Sequence, residues 1–144
     1  MNINFASRKW IGCVLFVIFV LYALTLWYGW AYTIWWIDVV LHVLGGVWVA
    51  QIFFFLKNHY VPRIHTEIPW LLYLSFALGF VMLVGVAWEW FEYILDAVFF
   101  TERFGLRQQL GLADTLGDLV ADTVGALFVA ISMLVRERKH DTLS

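Results

Sequence analysis

Seven of the eleven acidic residues in this sequence fall inside or at the ends of long apolar runs: Asp38, Glu89, Glu92, Asp96, Asp114, Asp118 and Asp122. His42 joins them. An ionisable side chain in hydrocarbon costs on the order of 3 kcal/mol even on lenient insertion scales. One such residue could be incidental, but eight need a reason. Carboxylates and imidazole are the oxygen and nitrogen ligands that suit Mn, Fe, Zn, Mg or Ca, and no thiolate stands among them. The runs contain no Lys or Arg, so His42 is the one internal group able to carry positive charge. Carboxylates this crowded repel one another at low dielectric. They must hold a cation, stay partly protonated, or open to water.

The spacing sorts these residues onto helix faces, because residues three, four or seven apart are neighbours on a helix. Asp38, His42, Gly45 and Val49 form one stripe, and Gly85, Glu89, Glu92 and Asp96 a second. Asp114, Asp118, Asp122 and Gly125 form a third, flanked by Gly117 and Ala121. Gly117, Ala121 and Gly125 are small enough to admit a close neighbouring helix. At about 1.5 Å per residue, Asp38, Glu92 and Asp118 lie roughly 6–9 Å below one membrane face. His42, Glu89 and Asp122 lie roughly 12–14 Å below it by the same rise. The expected centre binds a divalent metal or another cation, with His42, Glu89, Glu92 and Asp122 as ligands and Asp38 and Asp118 as further ligands or supports. Asp38-x-x-x-His42 with Glu89-x-x-Glu92 could supply one metal centre in the bundle core, loosely as carboxylate-rich metal bundles do. Asp38 and Asp118 also sit in early helical turns, where the dipole favours negative charge for structural reasons alone. Asp114 is expected to cap its helix and Asp96 to be solvated. Trp88, Trp90, Phe91 and Tyr93 read as packing and interface anchors, and His59, His65 and His140 as solvated.

The elements that must position these stripes follow from composition. The chain has 144 residues, 63% hydrophobic and 14% charged, against about 45–50% and about 25% in soluble domains. A membrane span needs roughly 20 mostly apolar residues. Four runs qualify, at about 10–28, 33–56, 70–99 and 114–135, giving an all-α, membrane-spanning four-helix bundle in a single domain over 1–144. The first run is long and lacks a small-x-small cleavage site, so it reads as a retained helix that serves as packing. Residues 100–113 read as an interfacial loop or short surface helix. Trp10, Trp27, Trp30, Trp35, Trp36 and Trp70 fall near helix ends, as interfacial anchors should. Cys13 is expected to be packing, and a lone cysteine makes no internal disulfide.

Orientation follows from the basic residues in the short flanks. Arg8, Lys9, Lys57, Arg63, Arg136, Arg138 and Lys139 fall on one side, whereas Arg103 and Arg107 fall on the other. Both termini are therefore expected in the cytoplasm, with the acidic stripes towards the opposite leaflet. The sequence has no basic stripe for nucleic acid. It also lacks a phosphate loop, a G-x-S-x-G and an H-E-x-x-H.

The stripes resemble the VanZ-like family of small bacterial membrane proteins, most closely its uncharacterised relatives. The matching motifs are D-x-x-x-H at Asp38–His42, E-x-x-E/Q at Glu89–Glu92 and D-x-x-x-D/N-x-x-G-A at Asp118–Ala126, within a resemblance running from Ile37 to Ala130. Val39 stands where that family has Lys, Glu92 where it has Gln and Asp122 where it has Asn, which makes this site more acidic. The resemblance implies a multi-pass protein of the bacterial inner membrane with a role in the cell envelope, and it supplies no reaction. Three readings stay open. One is a metal centre acting on membrane lipid or a lipid-linked envelope substrate. Another is a proton or cation pathway. The third is a non-catalytic subunit that assembles with itself or another membrane protein. Whether the chain is an enzyme is undecided at this stage.

Overall fold

The structure is a computed structural model that describes residues 6–61, 69–99, 108 and 110–141. Arg63, His65, Arg103, Arg107 and most of the expected 100–113 interfacial segment lie outside these, as do the side chains of Arg138, Lys139 and His140. The described residues form α1 (Arg8–Tyr28), the single turn α2 (Trp30–Thr33), α3 (Ile37–Tyr60), α4 (Trp70–Phe99) and α5 (Leu112–Asp141). No strand occurs among them. The helices α1, α3, α4 and α5 are each long and apolar enough to cross a membrane.

Local chemistry sets the boundaries. Gly29 closes α1 in the left-handed region (φ 66), and its N–H donates to the Thr25 carbonyl. Such positive φ is costly for residues with a Cβ. The second span differs from the expected 33–56: it begins at Ile37, after α2, and continues to Tyr60. Hydropathy marks the hydrocarbon region, whereas backbone hydrogen bonding carries the helix on through Lys57, Asn58 and His59. For the same reason α5 runs beyond the expected 135 to Asp141.

α3 is the centre of the bundle, packing against α1, α4 and α5, and α5 also packs on α4. The tightest seam is α3–α5. A Cβ on Gly46 would strike the backbone carbonyl of Asp122, and one on Gly125 would strike that of Val43 and stand 2.8 Å from the Val47 nitrogen. Glycine on both helices lets the backbones touch. The expected stripe of small residues is therefore corrected in part: Gly125 and buried Ala121 face the seam, but Gly117 faces open space.

Below this seam an apolar core of Val49, Ala50, Phe54, Ala77, Val81 and Val129 fills the other half of the bundle. α1 adds little to it and is largely exposed. Cys13 lies on that exposed face rather than in packing, because α1 has only one covered side. Trp27, Trp35 and Trp70 are exposed near helix ends, as interfacial anchors require.

Candidate functional site

Antiparallel connection of neighbouring helices brings the first half of α3, the last half of α4 and the first half of α5 to the same end of the bundle. The three acidic stripes meet there. His42, Glu89, Glu92, Asp118 and Asp122 are 7%, 5%, 8%, 3% and 6% exposed, and Asp38 is more open, with 45% of its side chain exposed. Groups of this kind are almost never this buried unless paired or ligating.

His42 is the hub. Its Nδ1 lies 3.5 Å from Asp122 Oδ1 on α5. Its Nε2 lies 3.9 Å from Asp118 Oδ1 and 4.0 Å from Asp38 Oδ1, one turn earlier on α3. Ligand atoms of Asp38, His42 and Asp118 all fall within 4.8 Å of one another, and so do those of His42, Glu89 and Glu92. The shallow and deep levels read from the sequence therefore do not separate, because the His42 ring joins them. All six expected site residues contribute to this one cluster.

Several neighbours hold the carboxylates in place. The Trp88 indole N–H donates to Glu92 Oε1 at 2.8 Å, one turn away on α4. The sequence marks Trp88 as packing; its i, i+4 spacing to Glu92 was the signal for this bond. Gly85 and Gly45 leave room for the Asp122 carboxylate. A Cβ on Gly85 would lie 2.6 Å from Oδ2, and one on Gly45 would lie 3.6 Å from Oδ1. The α3 and α4 glycines thus form a socket for an α5 side chain.

Asp96 and Asp114 stand apart and have structural partners. Asp96, expected to be solvated, accepts the Gln108 backbone N–H through both oxygens at 3.0 and 3.1 Å. It ties the end of α4 to the approach to α5. Asp114 is not the N-cap, because α5 begins two residues earlier at Leu112. From the first turn it reaches back over Gly111 to accept the Leu110 N–H at 3.2 Å, one residue before the N–H that a capping box bonds. His59, on the far end of α3, packs its ring on Phe55 and Tyr60.

Two cavities border the cluster. One of about 410 Å³ lies between α1, α3 and α4, with Asp38, His42, Glu92 and Asp122 on its wall. Leu15, Ile18, Phe19 and Tyr22 of α1 line it as well, so α1 shapes the site in addition to packing. The second, about 690 Å³ and more open, lies between α4 and the start of α5 and is lined by Glu89, Tyr93, Asp96 and Thr115. Glu92 and Glu89 thus face different cavities from adjacent turns.

The family model described as "Predicted membrane protein (DUF2238)" matches residues 2–139, almost the whole chain. No curated protein and no solved structure matches it.

Proposed function

The chain belongs to this family of predicted membrane proteins, DUF2238, and on that premise we propose that it binds a divalent metal ion at His42 and uses it in envelope lipid or cell-wall chemistry at the bacterial inner membrane. The observation that carries the reading is the meeting of two possible ligand triads at a single imidazole, Asp38–His42–Asp118 and His42–Glu89–Glu92. Oxygen and nitrogen donors of this kind suit a hard or borderline divalent ion.

The two ring nitrogens of His42 have different surroundings, which suggests a division of labour. Metal-binding histidines usually donate their second N–H to a carboxylate that fixes tautomer and ring orientation. Asp122, beside Nδ1, takes that orienting role, while Nε2 faces Asp38 and Asp118. Glu89 and Glu92 complete the ligand set. When bound, the metal would supply Lewis-acid polarisation of a carbonyl or phosphoryl oxygen, or acidify a water. Glu89 also borders the wider cavity, through which water would reach the ligand set.

The membrane orientation, with both termini cytoplasmic, is supported by charge. Arg8, Lys57 and Arg136 lie at the bundle end opposite the acidic cluster. The envelope setting is supported by the resemblance of the three motifs to the VanZ-like family. Metal analysis of the purified full-length protein tests the reading. Metal that co-purifies or loads near stoichiometrically, and is lost in Glu89→Gln and His42→Ala, is the expected result. Protein that binds none at any ratio contradicts it.

A further inference from the structure

We propose that the cavity between α1, α3 and α4 binds an amphiphile with a cationic ammonium head and a hydrocarbon tail. This inference goes beyond the metal reading and does not rest on it; it concerns the metal-free protein, because Asp38, Glu92 and Asp122 serve in both.

α1 and α4 each pack on α3 rather than on one another, leaving a cleft whose floor is α3. Its volume, about 410 Å³, falls within the range of about 300–1,000 Å³ typical of small-molecule sites. The two ends of the cleft differ in chemistry. Along most of its length the walls are apolar, from Leu15 and Ile18 of α1 to Val81 and Val84 of α4. At the other end stand the carboxylates of Asp38, Glu92 and Asp122 around the single imidazole of His42, with the rings of Tyr22 and Trp88 beside them. No Lys or Arg is among the described residues that line it.

This polarity selects the ligand. A channel whose polar end holds three carboxylates to one imidazole disfavours an anionic head by like-charge repulsion and offers a neutral one hydrogen bonds alone. An ammonium head complements the carboxylates, and aromatic faces add cation–π attraction. Of the residues that line it, Leu15, Phe19 and Tyr22 of α1 and Trp88 of α4 are themselves exposed, in segments that can cross a membrane. The route into the cleft is therefore through lipid, which requires a hydrocarbon tail.

The test uses the full-length protein in dodecyl maltoside micelles with a chelator present, and three nitroxide-tailed dodecyl probes. The probes differ only in their heads: trimethylammonium, phosphate or maltoside. Electron spin resonance reads the immobilised fraction. The ammonium probe is expected to be immobilised at least about tenfold more tightly than the other two. Leu15→Trp and, independently, Val84→Phe should reduce its binding by filling the cleft, in protein whose helical content matches wild type. Glu92→Gln should weaken the preference for the ammonium head while tail binding persists. No immobilised fraction, equal binding of the three heads, or binding indifferent to both cleft-filling variants would overturn the proposal. Mn²⁺ binding, measured separately, distinguishes the two readings. Metal without ammonium binding removes only this inference, and ammonium binding without metal removes only the metal centre.

Discussion

His42 Nδ1 on α3 lies 3.5 Å from Asp122 Oδ1 on α5, across the seam where Gly46 and Gly125 bring the two backbones together. One residue, Asp122, thus takes part in both the helix packing and the cluster around His42. Its backbone carbonyl rests on Gly46, and its carboxylate fits between Gly45, Gly85 and the imidazole. The orientation of the hub histidine depends on how closely two helices approach.

If Asp122 orients His42, Asp122→Asn should preserve the fold and weaken metal binding by about 10–100-fold, as loss of a carboxylate behind a metal-bound histidine does. Mn²⁺ titration of the wild-type and variant proteins measures this. Unchanged affinity would remove Asp122 from the site.

The seam predicts a contrast between adjacent glycines. Gly46→Ala forces a methyl group into the α5 backbone and should cost about 1–3 kcal/mol or more. Gly45→Ala meets the Asp122 carboxylate at ordinary contact distance and should be tolerated far better. Thermal unfolding in detergent compares them, and equal losses would refute the close α3–α5 approach.

Trp88 should be coupled to Glu92. A hydrogen bond to a charged group is worth about 1.5–3 kcal/mol, so Trp88→Phe should destabilise the protein or weaken its metal binding measurably. In a Glu92→Gln background the same change should cost less. Strict additivity in this double-mutant cycle would mean that the 2.8 Å bond has no energetic role.

Membrane orientation can be read by cysteine labelling in a Cys13→Ser background. With both termini cytoplasmic, a membrane-impermeant maleimide should label Trp35→Cys, an exposed position between α2 and α3, in intact cells. Asn58→Cys, exposed near the other end of α3, should react only after permeabilisation. The reverse pattern would place the acidic cluster at the cytoplasmic leaflet.

Much of this arrangement was legible in the sequence, because both hydropathy and helical spacing are local. The four spans follow from run length, and the facing of Asp38, His42, Glu89, Glu92, Asp118 and Asp122 follows from their three- and four-residue spacing. Rotation and axial offset between helices are not local. The sequence therefore separates His42 from Asp38 and Asp118 by depth, whereas the ring spans that interval. Among the small residues, only the real crossing point distinguishes Gly46, which touches α5, from Gly117, which touches nothing. The involvement of α1 was hidden for another reason: its cleft residues Leu15, Ile18 and Phe19 are as apolar as its lipid-facing ones.

In the proposed metal site a histidine nitrogen ligates the ion among acidic side chains. Electron spin-echo measurement of nitrogen coupling to protein-bound Mn²⁺ tests it most directly. The wild-type protein should show modulation from a single histidine nitrogen, lost in His42→Ala and retained in His59→Ala. Mn²⁺ bound without nitrogen coupling, or coupling that survives His42→Ala, would contradict it.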